Sequence, residues 1–206
     1  INRVLRRTSP NSTPPVLLIP NSSLFLKYSI DYNILELWGI GWPGAGKTTA
    51  IATISEFPPV STDVFSTDSL SKLKDTTTVA MDFGQITLEN GQKIGLYGTP
   101  GQRRFKFMWD ILIQGGLGLI VLIDNRRPEP FKDLAMYLDN FSEFIEKTDA
   151  VIGITCMDIK DTPTLDDYQD FLKERGQIYP SFAIDARNKD DVLFLLNTLL
   201  TCLETS

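Results

Sequence analysis

A chain of 206 residues is long enough for one ordinary α/β domain and too short for two comfortable ones. Hydrophobic residues make up 42% and charged residues 22%, and a net charge of −6 gives no general pull toward nucleic acid or anionic lipid. The lack of any histidine excludes imidazole acid–base catalysis, histidine-containing triads and histidine-ligated metals together.

Residues 1–32 are rich in Ser, Asn and Pro and lack sustained periodicity, so they read as a poorly ordered extension ahead of a single domain over 33–206. The chain opens on Ile1 and its first methionine is Met81, so we expect a fragment, a processed chain or an odd gene product. No apolar run approaches the roughly 20 residues of a membrane-spanning helix. Cys156 and Cys202 supply neither a disulfide framework nor a metal-ligand spacing, which points to a reducing cytoplasm.

The domain opens with a buried strand, "NILELWGI" at 33–40, which runs through a glycine-rich loop into a helix. Residues 57–77 read as a long loop. A strand at 78–88, a turn at Asn90-Gly91 and a strand at 93–98 form a hairpin. A short helix is expected over "RRFKFMWDILIQ", followed by an apolar strand at 117–124 and a helix at about 130–146. Strand 150–155, helix 164–175, strand 181–185 and a helix from about 189 complete the pattern. Gly176 sits where a helix stop belongs, and Asn188 is placed to cap the last helix. The expected fold is α/β: a mainly parallel six-stranded sheet with one antiparallel hairpin strand and helices on both faces.

Gly41-Trp42-Pro43-Gly44-Ala45-Gly46-Lys47-Thr48 fits the phosphate-loop pattern G-x-x-x-x-G-K-[ST], between a predicted strand and a predicted helix. Glycines let the backbone curl so that several N–H groups face phosphate oxygens, and the helix that follows adds its positive end. Gly41, Gly44, Ala45, Gly46, Lys47, Thr48 and Thr49 are therefore candidate nucleotide-binding residues. Lys47 would reach the β- and γ-phosphates, and the Thr48 hydroxyl would ligate Mg2+. Trp42 and Pro43 occupy free positions of the pattern.

Downstream, "TTTVAMDFG", "LYGTPGQRRF", "IGITCMD" and "FAIDAR" follow in the order and approximate spacing of Ras-like P-loop NTPases of the small GTPase superfamily. Together with "FMWDIL" they resemble most the bacterial small GTPases typified by MglA and those of actinobacterial conservon operons. The resemblance spans about residues 37–203. It implies a molecular switch that hydrolyses GTP to GDP with Mg2+. By that resemblance Thr78 coordinates the metal and senses the γ-phosphate, the Gly101 N–H bonds the γ-phosphate, and Gln102 orients the attacking water. Gln102, Lys47 and Thr78 are then the catalytic set, and Thr48 and Thr78 the metal ligands. Asp158 reads guanine and the Ala186 N–H contacts the guanine oxygen. A Roadblock-type activating protein and effectors are the implied partners, engaging residues 57–78 and 98–112.

The chain also departs from the general small-GTPase pattern. Gly98 stands where an aspartate ordinarily supports magnesium through a water, a trait that the resembling bacterial family commonly shares. Thr155-Cys156-Met157-Asp158 replaces Asn-Lys-x-Asp. Thr155 retains a tethering hydroxyl, but Cys156 lacks the aliphatic stem that packs on the base. Asp124 is expected to do a structural job, and Asp82 to organise a strand edge away from the metal. Arg103 or Arg104 folding toward the γ-phosphate would add charge stabilisation. Two rival readings are a nucleotide-binding interaction module without turnover and a P-loop kinase, which calls for an arginine-bearing lid that "TPGQ" and the hairpin do not suggest.

Overall fold

Strands β5 (Gly118–Asp124) and β6 (Ala150–Thr155) are apolar at nearly every position, so both of their faces must be covered. The computed structural model, which describes residues 34–64, 79–100, 109 and 115–205, covers them with helices. Because side chains alternate across a pleated strand, Leu119, Val121 and Ile123 enter one core and Leu122 enters the other. The first core is closed by Leu134, Tyr137 and Leu138 of α2 (Pro130–Asn140), Ile145 of the short α3 (Ser142–Ile145) and Tyr168 and Leu172 of α4 (Leu165–Glu174). The second is closed by α1 (Lys47–Ile54) and α5 (Lys189–Thr205), the latter through Leu195, Leu196, Leu199 and Leu203.

The remaining strands are β1 (Ile34–Gly41), β2 (Val60–Val64), β3 (Val79–Thr87), β4 (Lys93–Gly98) and β7 (Ser181–Ala183). They form one sheet in the order β2-β3-β4-β1-β5-β6-β7. Strand β1 is parallel to β4 on one side and to β5 on the other, and β6 and β7 continue the parallel run. Strand β3 is antiparallel to β4, with Asp82 directly opposite Gly98. All six strands expected from the sequence are present, with helices on both faces of a mainly parallel sheet.

One expectation is corrected. Within the long loop read over 57–77, Val60–Val64 forms an edge strand antiparallel to β3. Its backbone pairing with β3 holds it, whereas Val60, 49% exposed, contributes little burial that a hydrophobic pattern could register. Residues 65–77 of that loop, the 1–32 extension and all of the helix expected near 103–114 except Trp109 lie outside the described residues.

The element ends follow their local chemistry. Gly91, at φ 82°, lets Leu88 N–H reach Gln92 O and Gly91 N–H reach Leu88 O, closing the β3–β4 hairpin. Helix α4 starts on a reciprocal capping box between Thr164 and Asp167. It stops where Gly176 and Gln177 return their N–H groups to Lys173 and Leu172. Asn188 accepts from Asp190 N–H at 3.0 Å, as a cap for α5 should.

Buried polar groups tie the layers together. Asn125, fully buried beyond β5, donates to the carbonyls of Lys160 (2.6 Å) and Pro163 (3.0 Å) and accepts from the Tyr168 hydroxyl at 2.8 Å. Burial pushes the Tyr168 phenol well above its usual range. Trp109 is buried against Phe141 and Tyr137 and donates its indole N–H to Pro100 O at 3.2 Å. We predict that Tyr168→Phe, which orphans one side of Asn125, lowers stability by about 1–3 kcal/mol. The check is a shifted urea midpoint at unchanged m-value.

Candidate functional site

In open α/β sheets, ligands bind beyond the carboxyl ends of the strands where the chain's connections diverge. Here that place lies between β1, whose connection leads toward β2, and β5, whose connection leads toward β6. The loop from Gly41 to Gly46 occupies it. Its tightness has a visible cause. Any side chain at Gly41 would collide with the Leu122 carbonyl of β5, so the loop can only leave β1 this closely with glycine there. Gly46, at φ 94°, turns into α1, and a methyl group on it would stand 2.9 Å from Ala186 Cβ. Gly46 is thus packed directly against the Ala186 segment.

Lys47 lies across this loop, donating to the carbonyls of Gly41 (2.7 Å) and Trp42 (3.1 Å). Burial lowers its pKa to about 8, with the Asp82 carboxylate pulling the other way. Thr48 and Thr49 are exposed on the first turn of α1, whose free N–H groups favour an anion. The Thr48 hydroxyl donates to Asp82 Oδ2. Asp82, expected to stand away at the strand edge, therefore belongs to the site.

The structure also joins the loop to the far strands. Thr155 Oγ1 lies 3.3 Å from Ala45 O and 3.2 Å from Ile123 O, so its one proton is shared between loop and β5. This is the tether expected of it. Thr53 of α1 has its hydroxyl 2.8 Å from both Thr49 O and Ala186 O, so its one proton is likewise shared between its own helix and the Ala186 segment. Beyond β6, Cys156 takes a left-handed backbone (φ 62°), and its carbonyl accepts from the N–H groups of Ile159 and Lys160, closing a turn that leaves Asp158 exposed.

Two matching clasps flank that turn. Asp124 accepts from the Arg126 backbone N–H (2.9 Å) and from its guanidinium (2.8 Å to Nη2). Asp185 does the same for Arg187, at 2.9 Å and 2.7 Å. The guanidinium bonds hold the Asp124 carboxyl below its usual range and bring Asp185 down to about 2. Each arginine is held above its ordinary value mainly by its own aspartate, with smaller contributions from Cys156 and Asp158. Asp124 thus has the structural job expected of it.

Sequence reading misplaced one feature of the site and passed over two. Asp82 was hidden because its approach to Thr48 depends on strand register. Arg126 and Arg187 carried only the short-range Asp-x-Arg signal. Trp42 packs its ring under Arg127, whose guanidinium carbon lies 4.3 Å from the ring centroid while its Nε donates to Asp133 at 2.9 Å. Thr78, Gly101, Gln102, Arg103 and Arg104 lie outside the described residues. Among the described residues no group of three or more His, Cys, Asp and Glu gathers to hold a metal, and no helix is long and apolar enough to cross a membrane.

With this geometry in view, residues 40–191 match the family described as conserved hypothetical ATP binding protein, and the chain belongs to that family. It is 32% identical to an uncharacterized protein of Methanocaldococcus jannaschii over 53% of this chain and 68% of that protein. It is 28% identical to the Ras-related protein Rab-8B of Homo sapiens, over 71% of this chain and 64% of the relative. It is 26% identical to the GTP-binding protein YPT1 of Saccharomyces cerevisiae, over 81% and 78%. The match thus spans under two thirds of Rab-8B.

The stacking of Arg127 on Trp42 is expected to brace one wall of the loop. A double-mutant cycle of Trp42→Ala and Arg127→Ala, measured by chemical denaturation, should give a coupling of about 0.5–1 kcal/mol.

Proposed function

We propose that this member of the family is a guanine-nucleotide switch that holds GTP at the Gly41–Thr48 loop and hydrolyses it slowly to GDP with Mg2+. The observation that carries the reading is the Thr155 bridge. It fastens the phosphate loop to the end of β6, so that the loop and the Asp158 turn are set by one rigid framework. Similarity to Rab-8B and YPT1 over most of the described domain supports the same reading.

The choice of base rests on Asp158. An ionised carboxylate only accepts hydrogen bonds, which suits the two adjacent N–H donors of guanine. Adenine opposes it with a ring acceptor and leaves the carboxylate half unpaired. The lysine stem absent at Cys156 has a substitute in Arg126 and Arg187, whose clasped guanidinium planes flank the turn and can stack on a base face.

For the phosphates, the fixed N–H groups of the loop and α1, with the Lys47 ammonium, stabilise negative charge without reorganising. Thr48 and, by resemblance, Thr78 would hold the magnesium ion. When bound, magnesium would neutralise negative charge that develops on the phosphates. By the same resemblance the Gly101 N–H contacts the γ-phosphate and Gln102 orients the attacking water, with a Roadblock-type protein accelerating the reaction. The MglA-like and conservon affinity, a cytoplasmic setting and partner surfaces at residues 57–78 and 98–112 belong to this proposal.

The test is GTP turnover by purified protein with magnesium. Slow hydrolysis is expected, abolished in Lys47→Ala and Gln102→Leu. Tight GTP binding with no turnover above the Lys47→Ala background, with and without partner, would establish the interaction-module alternative. Asp158→Asn should weaken GTP binding by about 100-fold, through a lost charged hydrogen bond and an opposed pair of donors, with circular dichroism unchanged.

A further inference from the structure

Gly98 ends β4 at the position where Ras-like GTPases in general carry a carboxylate. The register of the sheet shows what occupies that space here. Asp82 of β3 is the direct antiparallel partner of Gly98, so the two positions project on the same face of the sheet. A methyl group placed on Gly98 would stand 3.1 Å from Ile51 Cδ1, 3.2 Å from Asp82 Cβ and 3.4 Å from Asp82 Oδ2. The Asp82 side chain therefore leans over Gly98, and its Oδ2 accepts the Thr48 hydroxyl proton.

We infer that Asp82 is this chain's metal-supporting carboxylate, moved one strand across the sheet from β4 to β3. The inference rests on the reading that Thr48 ligates magnesium. A hydroxyl that offers a lone pair to a cation still needs an acceptor for its proton. Asp82 is that acceptor, and the bond orients the Thr48 oxygen before the ion arrives. The second carboxylate oxygen would accept a hydrogen bond from a water on the ion. The crowding at Gly98 has a further consequence. A side chain at position 98 would have to displace Asp82 and Ile51 by a few tenths of an ångström, so a carboxylate at position 82 and one at position 98 compete for the same space.

The experiment uses full-length wild type, Asp82→Asn, Asp82→Ser and the exchange variant Asp82→Gly/Gly98→Asp, each loaded with GDP. Manganese binding is read from the paramagnetic resonance signal of the free ion, and release of a fluorescent GDP is followed against magnesium concentration. Asp82→Asn and Asp82→Ser should need about 10–100-fold more manganese while still binding GDP at saturating metal. The exchange variant should recover most of that loss, which a merely structural role for Asp82 would not produce. Unchanged manganese affinity in Asp82→Asn and Asp82→Ser, with normal GDP binding, would overturn the inference and leave the nucleotide reading intact. A wild type that binds no GDP at any metal concentration would overturn both.

Discussion

The contact of Gly41 with β5 sets the geometry of everything above the sheet. With no side chain at position 41, β1 can end against the Leu122 carbonyl and the chain can turn directly over the strand ends. That places the following N–H groups and the first turn of α1 around one point. A loop starting further out would leave the Lys47 ammonium without the Gly41 and Trp42 carbonyls that now hold it. The same closeness brings Ala45 O within reach of the Thr155 hydroxyl. The Gly41–Gly46 loop and the turn that follows β6 are thereby parts of a single bonded unit.

Around this unit the chain solves familiar problems with different residues. Thr155 makes the tether that an asparagine makes in the resembling GTPases. Two Asp-x-Arg clasps stand beside the turn where a lysine is missing, each holding its guanidinium through the backbone and side chain of one short segment. A carboxylate on β3 covers the place left by Gly98 on β4. On the proposed reading these substitutions keep the kind of chemistry and change its address in the sequence. The family description names ATP, whereas Asp158 argues for guanine; the hydrogen-bonding pattern of the base edge is the physical quantity that separates the two.

The parts legible in the sequence were those whose signal is local. The phosphate loop has fixed spacing within eight residues, the apolar runs of β5 and β6 demand burial, and Gly176, Asn188 and Gly91 act on their immediate neighbours. What stayed hidden depended on register or on distant packing. Asp82 meets Thr48 only because β3 and β4 pair as they do, and no periodicity announces that alignment. Trp42 finds Arg127 across the loop that follows β5. Strand β2 escaped notice because its first residue, Val60, is exposed and its antiparallel register with β3 is not announced by any local sequence pattern.

The central claim is that the framework built on Gly41 presents phosphate and base sites for a guanine nucleotide. The most direct measurement is equilibrium competition between unlabelled GTP and unlabelled ATP for a fluorescent nucleotide bound to the wild-type protein in magnesium. The account predicts displacement by GTP at concentrations at least about 100-fold below those ATP requires, the margin expected when one base leaves a charged acceptor unpaired. Displacement by ATP at equal or lower concentration would contradict it and show that Asp158 does not read the base.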